Sequence, residues 1–361
     1  MKRVLQIVGS INAGGMETMI MNYYRNIDRS KIQFDFLIFT EGKGFYEDEI
    51  TKLGGKIFKL TSRRKNPIKN YIELRNFFKN NKYDVVQIHQ GVTTLLPLKM
   101  ASKYGVKKII VHNHGINRKI KKVLAPYIEI YVKPKIEKLA TDFFACSENV
   151  LDHIYTKNII KNKKYYICPN AVDVEKFKFN EEIRNRKRKD LNVQNNVVYG
   201  HVGTFTEPKN HKFLIDIFEE LYKKDKTSKL LLIGKGPMQD EIKKNVIEKG
   251  LENAVKFLGQ REDVNELMMA MDMFLFPSLY EGLPVTLVEA QYAQIKILAS
   301  KTITQEVKIS KNIEFIELNK DKWLQEINNV DNKIYLVENN KFDIKETVKD
   351  LEKIYMNGEK K

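Results

Sequence analysis

Short apolar runs alternate with amphipathic segments along almost all of this 361-residue chain, and nothing else constrains its fold as much. In the first half the apolar runs at 3–9, 34–39, 56–60, 85–89, 108–112 and 143–146 have the length of strands. Helices are predicted between them at 16–26, 45–53, 67–79, 93–103, 120–139 and 147–156. In the first of these, Met19, Ile20, Tyr23 and Tyr24 recur at helical spacing. The pattern restarts in the second half, with strands at 197–202, 229–233, 255–259 and 273–276 and a helix at 211–224. Two more helices follow the turns at Gly234-Lys235-Gly236-Pro237 and Glu281-Gly282-Leu283-Pro284, each with proline expected at its first position. Strand–helix alternation predicts an α/β class of doubly wound parallel sheets with helices on both faces. Ligands of such sheets bind at the carboxyl ends of the strands.

Several strand ends carry suitable chemistry. After strand 273–276 a short loop enters a helix, and two carboxylates, Glu281 and Glu289, stand eight residues apart around that helix start. A helix N-terminus offers free N–H groups and the positive end of its dipole to an anion. Helical side chains lean back toward the N-terminus, so Glu289 can face the same mouth as Glu281. Acceptors on either side of an anion hole suit a molecule made of hydroxyls, a diphosphate and more hydroxyls, as a sugar nucleotide is. In the first half, Gly14-Gly15 between strand and helix let the backbone approach an anion, although the run is not a dinucleotide fingerprint. His112 and His114 lie on the loop after strand 108–112, and His89 ends the strand before it. Lys209, just ahead of helix 211–224, can meet a phosphate.

These stretches resemble the retaining glycosyltransferases of family 4, which have the two-domain GT-B fold. The match rests on Gly14-Gly15, Pro169-Asn170, Lys209 and the Glu281/Glu289 spacing, and it runs over nearly the whole chain. The resemblance implies two Rossmann-like domains facing a cleft: 1–172 on the acceptor side, and 173–343 binding the nucleotide sugar. The last helix, within 344–361, would return to the first domain. It implies that Glu281 holds the donor sugar while Gly282, Leu283 and Pro284 border the diphosphate. Glu289 would hold the ribose and His114 would contact the sugar. Gly203, Thr204, Gly234, Gln260 and Arg261 would line the diphosphate and base, with Lys209 as the main cation. Thr204 stands where the family usually has arginine, and Gln294 where it commonly ends the second-glutamate helix with glycine. The implied reaction moves a hexose from a UDP-type sugar nucleotide to a carbohydrate or polyprenyl-linked acceptor in surface polysaccharide synthesis. No further cofactor is implied, and no His/Cys/Asp group has metal-ligand spacing.

Charge narrows the partners. Lys and Arg total 63 against 46 Asp and Glu, a formal +17, which favours anionic partners or reflects a lysine-rich proteome. The segment 117–139 interleaves seven cations, among them Arg118, Lys119, Lys121 and Lys122, with aliphatic and aromatic residues. It reads either as a contact with an acidic membrane surface or as a packing helix with a solvated lysine face. There is no apolar run of about 18 residues or more to span a membrane. The two cysteines, Cys146 and Cys168, are expected as free buried thiols. A cytoplasmic enzyme, peripheral on the inner face of the membrane, is the expectation. Two rivals are a nucleotide-sugar epimerase, which would turn over its substrate without an acceptor, and a basic nucleic-acid-binding protein. The glycine-rich strand-to-helix turns argue against nucleic acid as a partner.

Overall fold

A computed structural model describes the chain except residues 13, 90–94, 115–130, 149, 152–154, 163–164, 330–333 and 357–361. It divides into two units, Met1–Ala171 with Phe342–Lys361, and Val172–Lys341.

The first unit is built on seven strands: β1 (Lys2–Ile7), β2 (Ile32–Ile38), β3 (Ile57–Lys59), β4 (Val85–Ile88), β5 (Lys108–Asn113), β6 (Asp142–Ala145) and β7 (Tyr165–Ile167). They pair in the order β3-β2-β1-β4-β5-β6-β7, all parallel. Residues alternate between the two faces of a strand, and both faces here are buried. Val4, Phe34, Phe36 and Ile110 join one apolar cluster, while Leu5, Ile7, Leu37 and Val111 join another. The helix Gly15–Asn26 covers the first face and the helices Pro67–Asn80 and Leu95–Lys103 the second. The terminal helix Ile344–Met356 returns to the first face and buries Ile344, Val348, Leu351 and Tyr355, one side of a helix. Its end is tied down by the Lys2 ammonium, which donates to the Tyr355 carbonyl at 2.9 Å.

The second unit holds six parallel strands: β8 (Val198–Val202), β9 (Lys229–Ile233), β10 (Val255–Gly259), β11 (Met273–Phe276), β12 (Lys296–Ser300) and β13 (Ile313–Ile316), in the order β10-β9-β8-β11-β12-β13. In both sheets the strand order reverses once, between β1 and β4 and between β8 and β11. A crevice opens at the carboxyl side of such a reversal because the helices that follow its two strands leave to opposite faces.

Several boundaries depart from the sequence reading. β7, β12, β13 and the helix Lys320–Asn329 were not anticipated. These strands are only three to five residues long, and β12 and β13 each carry a charge, so neither length nor a clean apolar run announces them. Pro284 is the residue before its helix, Val285–Tyr292, with extended backbone, rather than the first helical position. Pro237 likewise lies in a turn before the helix Gln239–Glu248, where the Met238 N–H is held by the Phe205 carbonyl at 3.0 Å. Of the basic segment 117–139, the four cations at 118–122 fall outside the described residues. Its described part contains the helix Lys133–Leu139, none of whose residues is buried. Cys146 and Cys168 are buried and form no disulfide among the described residues.

Candidate active site

The reversal between β8 and β11 gathers most of the predicted donor-side residues. β8 runs into Gly203, β9 into Gly234, and the two backbones cross closely there. A side chain on Gly234, whose φ is +137°, would put its Cβ 2.0 Å from the Gly203 carbonyl oxygen. Only glycine fits that position, on both steric and conformational grounds. Gly234→Ala is therefore expected to destabilise the protein by about 2 kcal/mol or more. Chemical denaturation measures it, and an unchanged midpoint would refute the close crossing.

From Gly203 the chain makes the short turn Glu207–Lys209 and enters the helix His211–Lys224 through Asn210, which is left-handed at φ 53°. Two bonds fasten this turn to the loop after β11: the Leu279 N–H donates to the Pro208 carbonyl at 2.8 Å, and the Asn210 amide donates to the Pro277 carbonyl at 3.2 Å. The result brings Lys209 onto Glu281, with Nζ 2.7 Å from Oε1 and both side chains largely buried. The same ammonium lies 4.9 Å from the centre of the Phe276 ring. The two charges assigned to diphosphate and sugar thus neutralise each other in the free protein.

Beyond Glu281 the chain passes Gly282 and the buried Leu283 to Pro284 and the helix Val285–Tyr292. Among the described residues the N–H groups of Gly282, Val285 and Thr286 meet no acceptor, as expected of a helix start that waits for an anion. Glu289, one turn deeper, is 8% exposed and receives no hydrogen bond among the described residues. Burial pushes its carboxyl up to about 7, with the Lys176 ammonium pulling the other way. A buried acceptor held half-protonated near neutrality is prepared for a ligand that brings hydroxyl donors.

Thr204 is exposed, its hydroxyl 3.4 Å from that of Thr206, and supplies no cation to this region. The side chain of Arg261 is held bidentately by Asp263 at 2.8 Å, leaving Gln260 exposed beside it. Gln294 does adopt the left-handed conformation, φ 56°, at the end of the Glu289 helix.

In the first unit the Gly14-Gly15 turn is already occupied. The Gly14 N–H donates to the Asn12 carbonyl at 2.9 Å, and the Glu17 carboxylate folds back to where a Gly14 side chain would lie. The Ser10 hydroxyl donates to Glu17 Oε1 at 3.2 Å, and burial raises the Glu17 carboxyl above its ordinary value. An incoming phosphate would meet this carboxylate first.

The strand ends of β4 and β5 hold three imidazoles that the sequence reading did not join. His89 Nε2 is 2.7 Å from Gln6 Oε1, and His89 Nδ1 is 2.8 Å from His114 Nε2. A carbonyl oxygen only accepts, so His89 Nε2 carries its proton and Nδ1 is the acceptor. His114 must then donate from Nε2, which leaves its Nδ1 as a buried acceptor beside the Asn170 side chain. On the far side, Gln87 Nε2 is 2.9 Å from His112 Nδ1, and the Tyr355 hydroxyl joins the ring by donating to Gln87 Oε1 and accepting from Gln6 Nε2. Burial lowers His114 to about 3 and His89 and His112 well below the usual range, so all three are neutral at pH 7.

The three rings offer nitrogens within 4.8 Å of one another, close enough to suggest an ion. The 2.8 Å His89–His114 spacing is that of a shared proton. It is tighter than the roughly 3.3 Å between two nitrogens on one tetrahedral ion. The cluster was missed because its members come from two strand ends, His89 and His114 being 25 residues apart.

Comparison with known proteins identifies the family and the fold. The family described as Glycosyltransferase Family 4 matches residues 13–176, and that described as Glycosyl transferases group 1 matches residues 182–357. The putative glycosyltransferase EpsF of Bacillus subtilis is 34% identical over 310 residues, covering 85% of this chain and 81% of that protein. An Escherichia coli UDP-Gal:α-D-GlcNAc-diphosphoundecaprenol α-1,3-galactosyltransferase is 27% identical over 274 residues, 73% of this chain and 68% of its own. Among solved structures, Anabaena HepE in complex with UDP-glucose superposes with a TM-score of 0.80 at 18% identity, covering 98% of this chain and 99% of that one. That likeness gives the fold, GT-B.

Proposed function

Since the chain belongs to the glycosyltransferases, with a family 4 amino-terminal part and a group 1 carboxy-terminal part, we propose that it is a retaining, metal-independent hexosyltransferase. Its donor would be a UDP-sugar and its acceptor a carbohydrate or polyprenyl-linked glycan destined for a surface polysaccharide. The bond from the anomeric carbon to the diphosphate oxygen breaks, and one from the same carbon to an acceptor hydroxyl oxygen forms. The hydroxyl proton leaves with the diphosphate, and the anomeric configuration is kept.

The observation that carries this reading is the Lys209–Glu281 pair set beside a helix start with open N–H groups, with the buried Glu289 carboxyl behind it. As the diphosphate departs, Lys209 and the N–H groups of Gly282, Val285 and Thr286 stabilise its growing charge. Glu281, released from the ammonium, can accept from the sugar hydroxyls and oppose the positive charge at the anomeric carbon. Glu289 accepts from the ribose hydroxyls. In the other unit, the neutral His114 ring, with the Asn170 side chain beside it, contacts a sugar hydroxyl. The lipid-linked acceptor of the E. coli relative and the UDP-glucose held by HepE support the choice of donor and acceptor class. A cytoplasmic-face location follows from that acceptor class; no described helix is long and apolar enough to cross a membrane.

The test is thermal stabilisation by a panel of sugar nucleotides, since a ligand that binds only the folded state raises its melting temperature. UDP-sugars are expected to stabilise at millimolar concentration and to be consumed only when an acceptor is added. Stabilisation by none of the panel, or turnover without acceptor, would overturn the reading; the latter would favour the epimerase.

A further inference from the structure

Alternate residues of a strand share a face. On the face that the helix Ile344–Met356 covers, the apolar row Val4, Val85 and Ile110 gives way to Gln6, Gln87 and His112 toward the carboxyl ends of β1, β4 and β5. Gln6 and Gln87 stand level in the register of those neighbouring strands. The Tyr355 hydroxyl lies between their amides, and all three residues are 2% exposed or less. Polar groups sunk this deep in an apolar face are costly unless each is paired. Their pairing leads to His114 through Gln6 and His89.

A phenol hydroxyl has one proton to give. Tyr355 gives it to Gln87 Oε1 and therefore accepts from Gln6 Nε2, at 3.3 Å. The direction then runs on without a break. His89 donates from Nε2 to Gln6 Oε1 at 2.7 Å, and His114 donates from Nε2 to His89 Nδ1 at 2.8 Å. On the other branch Gln87 Nε2 donates to His112 Nδ1 at 2.9 Å, which puts the His112 proton on Nε2 as well. With neutral rings only one other order is self-consistent. If the hydroxyl gave its proton to Gln6, both amides would have to turn over, and all three imidazoles would carry their protons on Nδ1 instead. Any mixture sets two donors or two acceptors face to face, which a dry interior penalises.

We propose that Tyr355 is a positioning residue for sugar transfer: its single hydroxyl proton couples the tautomers of His112 and His114 and holds the His114 proton on Nε2, turned inward to His89. The two nitrogens of a neutral imidazole are not equivalent, since one donates and the other accepts, so the tautomer decides what the ring presents to a substrate. The final helix thus sets the state of a ring on the loop after β5. The proposal rests on the reading that His114 meets the donor sugar, but the tautomer is measured without donor or acceptor.

Magnetic resonance of the full chain, isotopically labelled in its imidazole nitrogens, tells protonated from bare nitrogens directly. Wild type at neutral pH is expected to show His89, His112 and His114 each as one tautomer with the proton on Nε2. Tyr355→Phe keeps the ring and its edge contact with Phe34 but removes the hydroxyl. His114 should then divide between both tautomers, and kcat should fall about three- to tenfold while UDP affinity stays within about twofold of wild type. Gln87→Met takes away the acceptor and leaves the hydroxyl free to turn to Gln6, so it should shift His114 in the same way. Lys2→Met loosens the end of the same helix, where the ammonium holds the Tyr355 carbonyl, but it touches no member of the chain of bonds. It should lower the melting temperature and leave tautomers and kcat as in wild type. A Tyr355 that only props the helix on the sheet would, when changed to Phe, lower the melting temperature and leave the His114 tautomer alone. That result overturns the proposal, and so does a wild-type His114 with its proton on Nδ1 or divided between both nitrogens. If the tautomer shifts as expected while transfer keeps its wild-type rate, the hold on His114 stands and the reading of His114 as a donor-sugar contact falls.

Discussion

Glu281→Ala is expected to lower kcat/KM for sugar transfer by about 10²–10³, the cost of removing one group aimed at transition-state charge. The loss should not come from nucleotide binding. In the free protein Glu281 holds Lys209 at 2.7 Å, so removing the carboxylate frees that ammonium for the diphosphate. Nucleoside diphosphate affinity should therefore stay equal or become tighter while turnover collapses. Lys209→Ala makes the opposite case: it removes the cation itself and should weaken the nucleotide diphosphate and transfer together. Titration calorimetry with UDP, paired with initial rates on the identified donor, separates the two variants. A Glu281→Ala protein that keeps more than half its activity, or that loses activity only by losing UDP affinity, would remove Glu281 from the sugar side of the site.

The strand–helix alternation was legible because it follows from local apolar periodicity; the strand order that sets each reversal does not. The Glu281/Glu289 spacing was legible for a similar reason, since it lies within one strand-to-helix turn, whereas the need for glycine at 234 comes from the Gly203 carbonyl at another strand end. What the sequence hides is pairing at a distance. Lys209 and Glu281 were both singled out, but as partners of a ligand; their contact depends on the Leu279 and Asn210 bonds that bring two loops together. Arg261 is a similar case, since its bidentate tie to Asp263 accounts for a guanidinium assigned to the base. The buried ring of Gln6, His89, Gln87, His112, His114 and Tyr355 draws on three strands and the final helix, more than 300 residues apart in chain order at its extremes. No window along the chain could have joined these residues. The outer face of the helix Pro67–Asn80 was hidden differently: its apolar residues count toward core in any periodicity reading, and only exposure reveals that Ile68 and Ile72 face outward.

Glu289 sets a pH dependence whose sign follows from its burial. Its carboxyl titrates near 7 in the fold and near 4.5 when unfolded. A raised carboxyl favours the fold when protonated, so its contribution is fully present below the unfolded value and is lost as pH rises through 7. From pH 4.5 to above 7 the ligand-free protein should lose about 3 kcal/mol on this account. Glu289→Gln, which keeps the shape without the charge, should be more stable than wild type at pH 8 and lack this fall. Ligand affinity should run the other way. Ribose hydroxyls donate, so they favour the carboxylate and draw the proton off as the nucleotide binds. An intact sugar nucleotide has no diphosphate proton to lose near neutrality, which isolates the effect. Its affinity for wild type should fall about tenfold for each pH unit below 7 and level off above it. In Glu289→Gln the profile should be flat and the affinity at pH 8 lower by about 10–100-fold, the loss of hydrogen bonds to a charged group. Calorimetry in two buffers of different ionisation enthalpy should detect close to one proton released by wild type at pH 6 and none by the variant. A wild-type affinity that ignores pH between 5.5 and 8, or a variant that binds as tightly and is no more stable at pH 8, would leave Glu289 a buried residue with no part in holding the ribose.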